Sequence, residues 1–392
     1  MKKCVIVGVT SSIAAYKSVQ LVSDLLKKGV DVEVIMSKNA CEFITPLTFS
    51  SLTKHKTYVD TFDRDIDYQV EHISLAQKAD AFIIAPASAN VIAKVAHGIA
   101  DDMLTTTFLA CDCPKIIAPA MNTKMYENPI TQDNLNLCKK YGMHIVEPKD
   151  GILACGDIGK GKLADIPILI ESVCMHLEKD QILKGKKVLI TAGPTMERID
   201  PVRYITNHSS GKMGYALACQ ARNLGADVTL ISGPVQLEDP YKVDVIKIEN
   251  TNELLHTVKQ YYETSDYIIC AAAPADYRPA HVATQKIKKT GNKFSIEWTS
   301  NPDVLKYIGE HKTTQKVCGF ATETENVIEN AYQKMKRKNC DMIVVNDITK
   351  EGAGFKKDTN IASILYREEC CHYDLMSKDE LAKVILTTLT EL

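Results

Sequence analysis

A chain of 392 residues is long enough for two domains, each with its own buried core. Its hydrophobic content of 45% and charged content of 24% are ordinary globular values, and a net charge of −2 argues against a nucleic-acid or membrane surface. Thirteen cysteines, an odd number without a CxxC pair, point to a reducing cytosol and away from a disulfide framework or structural zinc.

The N-terminus, Met-Lys-Lys-Cys-Val-Ile-Val-Gly, starts like a signal peptide, but the apolar run breaks at Gly8 and no adequate h-region is expected. No uncharged apolar stretch of about 18 residues occurs, so no transmembrane span is expected. Cys4–Val7 instead predicts a buried strand, followed by a turn over Gly8–Ser12 and a helix from Ile13 to Lys28. Gly29 stops that helix, and Val30–Met36 predicts the next strand, completing a βαβ unit.

Further strands are predicted at Ala81–Ile84 and Lys115–Ile117 with Ala118, and a helix at Ile166–Leu177. A polar stretch over Glu178–Lys186 marks the join between domains. The plan then repeats: Lys187–Ala192 predicts a strand, Gly211–Leu224 a helix with Gly225 as its stop, and Asp227–Ser232 a strand. Later come strands at Tyr267–Cys270 and Met342–Val345 and a helix over Asn326–Lys338. The fold class is therefore α/β, with two doubly wound domains.

Several strands end in small residues plus an amide or carboxylate: Pro86-Ala-Ser-Ala-Asn90, Pro119-Ala-Met-Asn122, Ala271-Ala-Ala-Pro-Ala-Asp276 and Asn346-Asp347. Such endings suit a ligand lying across the carboxyl edge of a parallel sheet, though ordinary βα turns also favour these residues. The first turn lacks G-x-G-x-x-G, which argues against a dinucleotide. Thr10, Ser11 and Ser12 at a helix start could hold a monophosphate or act as plain caps. Ser209-Ser210-Gly211-Lys212-Met213-Gly214 opens a helix in the second half in the same manner.

Gly8-Val-Thr-Ser-Ser-Ile-Ala-Ala-Tyr-Lys17, Pro86–Asn90, Pro119–Asn122 and Ala154-Cys155-Gly156 resemble the flavin-dependent cysteine decarboxylases. With the run Ile199–Gly214, the whole chain resembles the bacterial family of bifunctional phosphopantothenoylcysteine decarboxylase/phosphopantothenate–cysteine ligases of coenzyme A biosynthesis. Ser11 stands where the family often has Gly, and Lys162 where Arg is common. The resemblance implies a flavodoxin-like decarboxylase domain over 1–178, a linker over 179–185 and a Rossmann-like ligase domain over 186–392.

For the first domain it implies FMN bound by Gly8, Thr10, Ser11, Ser12, Ser37, Ser88 and Asn90. His72 matches the active-site histidine, Asn122 the substrate-carboxylate contact, and Cys155 the proton donor. The chemistry needs an electron sink: a thioaldehyde lets CO₂ leave as an ene-thiolate forms, and the flavin supplies the redox steps. Gly151, Gly156, Gly159 and Gly161 around Cys155 suggest a flap over the substrate.

For the second domain the resemblance implies that CTP activates 4′-phosphopantothenate as an acyl-cytidylate, which the amine of L-cysteine then attacks. Asn207 and Lys286 match catalytic residues. Ala273, Asp276, Lys286, Pro302, Asp303, Val304, Leu305, Phe320, Lys334 and Lys338 match nucleotide contacts, with Mg²⁺ carried by the CTP phosphates. Asp276 is a candidate for the cytosine, the ribose or the metal. Lys334 and Lys338 share a helix face, whereas Lys336 and Arg337 are expected to be merely solvated. A cytoplasmic homo-oligomer follows from the same family, a dodecamer built of decarboxylase trimers and ligase dimers, with some flavin-site residues acting in trans. A flavin-binding regulatory protein would be expected to lose His72 or Cys155, and a decarboxylase of peptide C-terminal cysteines would leave the second half unexplained.

Overall fold

The computed structural model describes residues 2–62, 70–289, 295–322, 327–346 and 357–392. The chain divides into two compact units, Met1–Lys179 and Asp180–Leu392.

The first unit runs β1 (Cys4–Val9), α1 (Ala15–Lys27), β2 (Asp31–Met36), α2 (Pro46–Thr53), β3 (Thr57–Tyr58), α3 (Glu71–Lys78), β4 (Ala81–Ala87), α4 (Ala89–His97), α5 (Met103–Ala110) and β5 (Lys115–Pro119). It continues through α6 (Thr123–Tyr126), α7 (Pro129–Lys140), β6 (His144–Ile145), β7 (Lys149–Ile152), β8 (Ile158–Lys162) and α8 (Ile166–Leu177). Six strands form one parallel sheet in the order β3-β2-β1-β4-β5-β6. This is the 3-2-1-4-5-6 order of dinucleotide-binding sheets, within the doubly wound class expected.

Along β1, Val5, Val7 and Val9 face a core shared with α1, α2 and α8. Ile6 faces the opposite core, shared with α3, α4, α5 and α7. Burial on both faces explains why these strands read as unbroken apolar runs. At the amino end of β2, Asp31, Glu33 and His55 draw together, and the Lys78 ammonium lies 2.8 Å from Asp31 and 2.6 Å from Glu33.

The second unit runs β9 (Lys187–Ala192), β10 (Met196–Arg198), β11 (Tyr204–Thr206), α9 (Lys212–Asn223), β12 (Asp227–Ser232), β13 (Asp244–Lys247), α10 (Thr251–Tyr261), β14 (Tyr267–Cys270), β15 (Tyr277–Pro279) and β16 (Trp298–Ser300). There follow α11 (Val304–His311), β17 (Lys316–Thr322), α12 (Val327–Arg337), β18 (Met342–Asn346), β19 (Thr359–Tyr366), β20 (Glu369–Ser377) and α13 (Lys378–Thr390). Its sheet has eight strands in the order β13-β12-β9-β14-β17-β18-β19-β20. The first six are parallel and repeat the wiring of the first unit; β19 and β20 add an antiparallel hairpin. Leu217, Ala218 and Ala221 of α9 pack with Leu381, Ala382 and Ile385 of α13 on one face. Helices α10 and α11 cover the other face, joined by α12.

The helix expected over Asn326–Lys338 is seen as Val327–Arg337, and Asn326 lies outside the described residues, as does Asp347. The glycine-rich flap is a β-hairpin of β7 and β8. No helix among the described residues is long and apolar enough to cross a membrane.

Candidate functional sites

In the first unit the strand order reverses between β1 and β4, and the carboxyl ends of strands at such a reversal are where sheets of this class hold ligands. Thr10 follows β1 and is fully buried. Its hydroxyl donates to Pro86 O at 2.7 Å and accepts from Ser88 N–H at 2.9 Å. The Thr10 side chain therefore ties β1 to β4. Gly8 lies inside β1, where a Cβ would meet Phe82 at 3.1 Å and both Ile84 and Leu104 at 3.3 Å. It serves close packing there.

Ser11 and Ser12 are half-buried in the turn, and Ser12 Oγ accepts from Ala14 N–H at 3.3 Å. Ser88 caps α4, accepting from Val91 N–H at 3.4 Å, and Asn90 is exposed on the first turn of that helix. Ser37 follows β2, with its N–H donated to Val9 O at 2.9 Å. Its hydroxyl is buried without a hydrogen-bond partner among the described residues. Because a buried hydroxyl is nearly always bonded, an unsatisfied one at a ligand edge fits a bound group. These hydroxyls around the start of α1 fit the phosphate end of a flavin nucleotide.

Asn122 follows β5 and caps α6; its Oδ1 accepts from Lys124 N–H at 2.8 Å, which aims the amide Nδ2 outward. That amide donates to Cys155 Sγ at 3.2 Å and to Asp157 Oδ2 at 2.7 Å. The structure thus brings Asn122 and Cys155 together and adds Asp157, which sequence reasoning did not single out. The Asp157 carboxyl is held below its usual range by the Asn122 amide and then by the Cys155 thiol.

The hairpin is anchored at its base, where Met121 N–H donates to Gly161 O at 3.0 Å. Gly161 has φ +150°, and a Cβ there would overlap the Met121 carbonyl, so only glycine permits the approach. His72 is half-buried in the first turn of α3, and among the described residues no hydrogen bond joins it to Asn122 or Cys155.

In the second unit a cleft of about 570 Å³ opens over the carboxyl ends of β9, β14, β17 and β18. Ser209, Ser210 and Gly211 line it at the start of α9, where Gly211 takes φ +75° and its N–H donates to Ser209 Oγ at 3.4 Å. Asn207, Ala273, Asp276, Pro302, Asp303, Val304, Leu305, Phe320, Lys334 and Lys338 all line this cleft. Asn207 Nδ2 donates to Pro274 O at 3.0 Å and Ala273 O at 3.3 Å. Lys334 donates to Phe320 O at 3.0 Å. Asp276 is exposed.

Asp303 caps α11, and its other oxygen pairs with Lys338 beyond the end of α12. The two helices touch through backbone: a Cβ on Gly309 of α11 would overlap Lys338 O, and Asn339 Nδ2 donates to Gly309 O at 2.7 Å. Arg337, expected to be merely solvated, lines the cleft, because the last turn of α12 reaches the rim. Lys212 and Lys378 line it as well, which concentrates positive charge suited to phosphates. Asn346, at the end of β18, has a buried Oδ1 without a partner among the described residues. The cleft fits an anionic, amide-bearing or base-bearing ligand.

Lys286 is exposed and is not among the residues lining the cleft. Its neighbour Ile287 donates N–H to Asp200 at 3.1 Å. Asp200 is buried and also accepts from Val202 N–H and Arg203 N–H, both at 2.8 Å, and from the Arg203 guanidinium at 2.7 Å. Burial alone would raise the Asp200 carboxyl, but the donors from Val202, Ile287 and Arg203 outweigh it and hold it well below the usual range. Asp200 thereby organises the run leading to Asn207 and the loop carrying Lys286. Behind the cleft, Thr195 accepts from Ala275 N–H at 3.0 Å and meets Thr251 at 3.0 Å, while Thr251 donates to buried Glu197 at 2.7 Å. Buried threonines of this kind carry no sequence signal until the fold joins them.

Comparison with known proteins bears on both halves. Residues 1–178 match the Flavoprotein family model, and residues 183–392 match the model of the DNA/pantothenate metabolism flavoprotein C-terminal domain. The chain is 45% identical over 367 residues to the coenzyme A biosynthesis bifunctional protein CoaBC of Bacillus subtilis, covering 93% of this chain and 90% of the relative. It is 42% identical to the protein of that name from Vibrio cholerae (99% and 98% covered) and 41% identical to that from Haemophilus influenzae (99% and 97%). With similarity of this extent across both nucleotide-type sheets, the chain belongs to the family of coenzyme A biosynthesis bifunctional proteins CoaBC.

Proposed function

We propose that residues 186–392 join L-cysteine to 4′-phosphopantothenate using CTP, and that residues 1–178 decarboxylate the resulting 4′-phosphopantothenoylcysteine with FMN, across a linker at 179–185. End-to-end similarity to bifunctional relatives supports two activities. The Asn122–Cys155 contact is the observation that carries the first of them.

Bound there, FMN would supply the two-electron redox chemistry, taking up electrons from the substrate thiol before CO₂ leaves and returning them afterwards. Gly8, Thr10, Ser11, Ser12, Ser37, Ser88 and Asn90 would hold it. Asn122 orients the substrate carboxylate by N–H donation, so the bond to CO₂ is presented in one direction. Cys155, exposed on the hairpin turn, gives its S–H proton to the carbon of the ene-thiolate. His72 takes up the thiol or carboxylate proton, in its own subunit or across a homo-oligomer.

In the second half, both steps move negative charge. Lys334 and Lys338, with Mg²⁺ on the triphosphate, stabilise the departing pyrophosphate. Asn207 donates to the oxyanion formed when the cysteine amine attacks the acyl carbon. Lys286 bridges nucleotide and substrate, and Asp276 reads the cytosine, the ribose or the metal. Trimeric and dimeric contacts in a cytoplasmic dodecamer belong to the same proposal.

Mass spectrometry of products formed with each nucleotide in turn tests it. CTP should yield CMP, pyrophosphate and, with FMN, 4′-phosphopantetheine. Equal turnover with ATP would overturn the nucleotide assignment. Failure to bind FMN together with no pyrophosphate release would overturn the whole.

A further inference from the structure

One amide at the first site serves two partners on the β7–β8 hairpin. Asn122 Oδ1 is committed to Lys124 N–H, so only Nδ2 is available to a ligand. That nitrogen lies 2.7 Å from a carboxylate oxygen of Asp157 and 3.2 Å from Cys155 Sγ. The hairpin is built to deliver both groups. Its turn is closed by Leu153 N–H to Asp157 O at 2.8 Å and Gly156 N–H to Leu153 O at 2.9 Å. At its base, the Gly161 carbonyl is bonded to Met121 N–H, beside Asn122. A carboxylate accepting from an amide is a charge-assisted bond, stronger than one to a thiol.

We propose that Asp157 is a resident stand-in for the substrate carboxylate: between turnovers its carboxylate occupies the Asn122 amide, and substrate must displace it. This rests on the assignment of Asn122 as the carboxylate contact. The reaction removes the substrate's carboxylate as CO₂, so the product brings nothing to that amide. Asp157 therefore competes with substrate and ignores product. Substrate affinity falls by the fraction of time the amide is taken, while product affinity is untouched. Asp157 also reoccupies the amide once CO₂ has gone, which keeps the donor paired while product leaves. It is a positioning residue, and no bond is made or broken at it.

The test uses the full-length, FMN-loaded chain and a pair of thiol-free competitive inhibitors of decarboxylation. One is 4′-phosphopantothenoylserine, which keeps the carboxylate; the other is 4′-phosphopantothenoylethanolamine, which lacks it. In Asp157→Ala the serine compound should bind about three- to tenfold tighter, with the ethanolamine compound unchanged within about twofold. Asp157→Asn, which keeps an acceptor without the charge, should fall between. No tightening of the serine compound, or an equal change in both, would overturn the proposal. If the variants turn over too slowly for inhibition to be read, the flavin absorbance change on titration with the two compounds reports the same pair of constants. Asn122→Ala separates the premise from the proposal, because it should erase the affinity difference between the compounds. If that difference persists, Asn122 is not the carboxylate contact and both fall. If it is erased while Asp157→Ala leaves the serine compound unchanged, only the role of Asp157 falls.

Discussion

The two sheets have the same parallel wiring and end their strands in different chemistry. In the first unit the reversal between β1 and β4 is bordered by serine hydroxyls, an amide and a thiol delivered on a hairpin outside the sheet. In the second, the reversal between β9 and β14 is bordered by amides, a glycine-turned helix start and lysines from α12 and α13. The interiors are nearly interchangeable: Val5, Ile6 and Val7 in one and Val188, Leu189 and Ile190 in the other are all buried. The lesson is that the frame sets where a ligand lies, while the loops set what happens to it. The second unit also adds β19, β20 and α13, whose apolar face packs on α9 and braces the helix that opens the cleft.

If the two chemistries are separate, each can be removed alone. Cys155→Ser should lower formation of 4′-phosphopantetheine by about 10²–10⁴-fold, the usual worth of a positioned acid, with CO₂ still released up to one equivalent per flavin and pyrophosphate release preserved. Loss of both activities in a folded variant would break the division. Asn207→Asp should do the reverse, slowing ligation by about 10²–10³-fold and sparing decarboxylation. An unaffected ligation rate would remove Asn207 from the mechanism.

Smaller effects sharpen the contrast between the hairpin and the sheet. Gly161→Ala forces a Cβ against the Met121 carbonyl and should cost about 1–3 kcal/mol locally, lowering decarboxylation alone. Gly151→Ala, whose nearest neighbour is Lys162 Cδ at 3.8 Å, should cost less; equal losses would refute the anchoring role of Gly161.

Acid unfolding followed by the single tryptophan, Trp298, reports on the second unit. The folded Asp200 carboxyl lies below its unfolded value, so its contribution is present above about pH 4 and is lost as pH falls through the folded value. Asp200→Asn should therefore be weaker than the parent at neutral pH, with the gap closing in acid, and parallel pH profiles would contradict this. Smallest of all, Lys336→Ala should change ligation by less than about twofold, since this residue lies over the Tyr332 ring and outside the cleft lining.

Much of the frame is legible in the sequence because strands buried on both faces appear as apolar runs. Lys187–Ala192, Asp227–Ser232 and Tyr267–Cys270 begin and end where the pattern places them. The β7–β8 hairpin is legible only as a glycine-rich flap, since its strands are short and polar and pair through backbone. Asn122 and Cys155 are legible through motif resemblance. Asp157 is not, because a carboxylate in a glycine-rich turn reads as solvated until the hairpin folds back onto Asn122. Asp200 and Thr195 escape for a related reason: beside its local donors Val202 and Arg203, Asp200 holds Ile287 more than eighty residues away, and Thr195 meets Thr251 more than fifty residues away along the chain. Arg337 escapes because helical spacing tells which residues share a face, not that the last turn borders a cleft.

The contact between α11 and α12 has a consequence for how the nucleotide cleft can vary. Gly309 and the Lys338 carbonyl meet with no room for a methyl group, and this junction sets the distance from the Asp303 end of one helix to the Lys338 end of the other. Any side chain at position 309 would pry a negative and a positive charge apart without altering either. The polarity of the cleft is thus adjustable residue by residue, whereas its span is governed by a hydrogen atom on the far side of the helix.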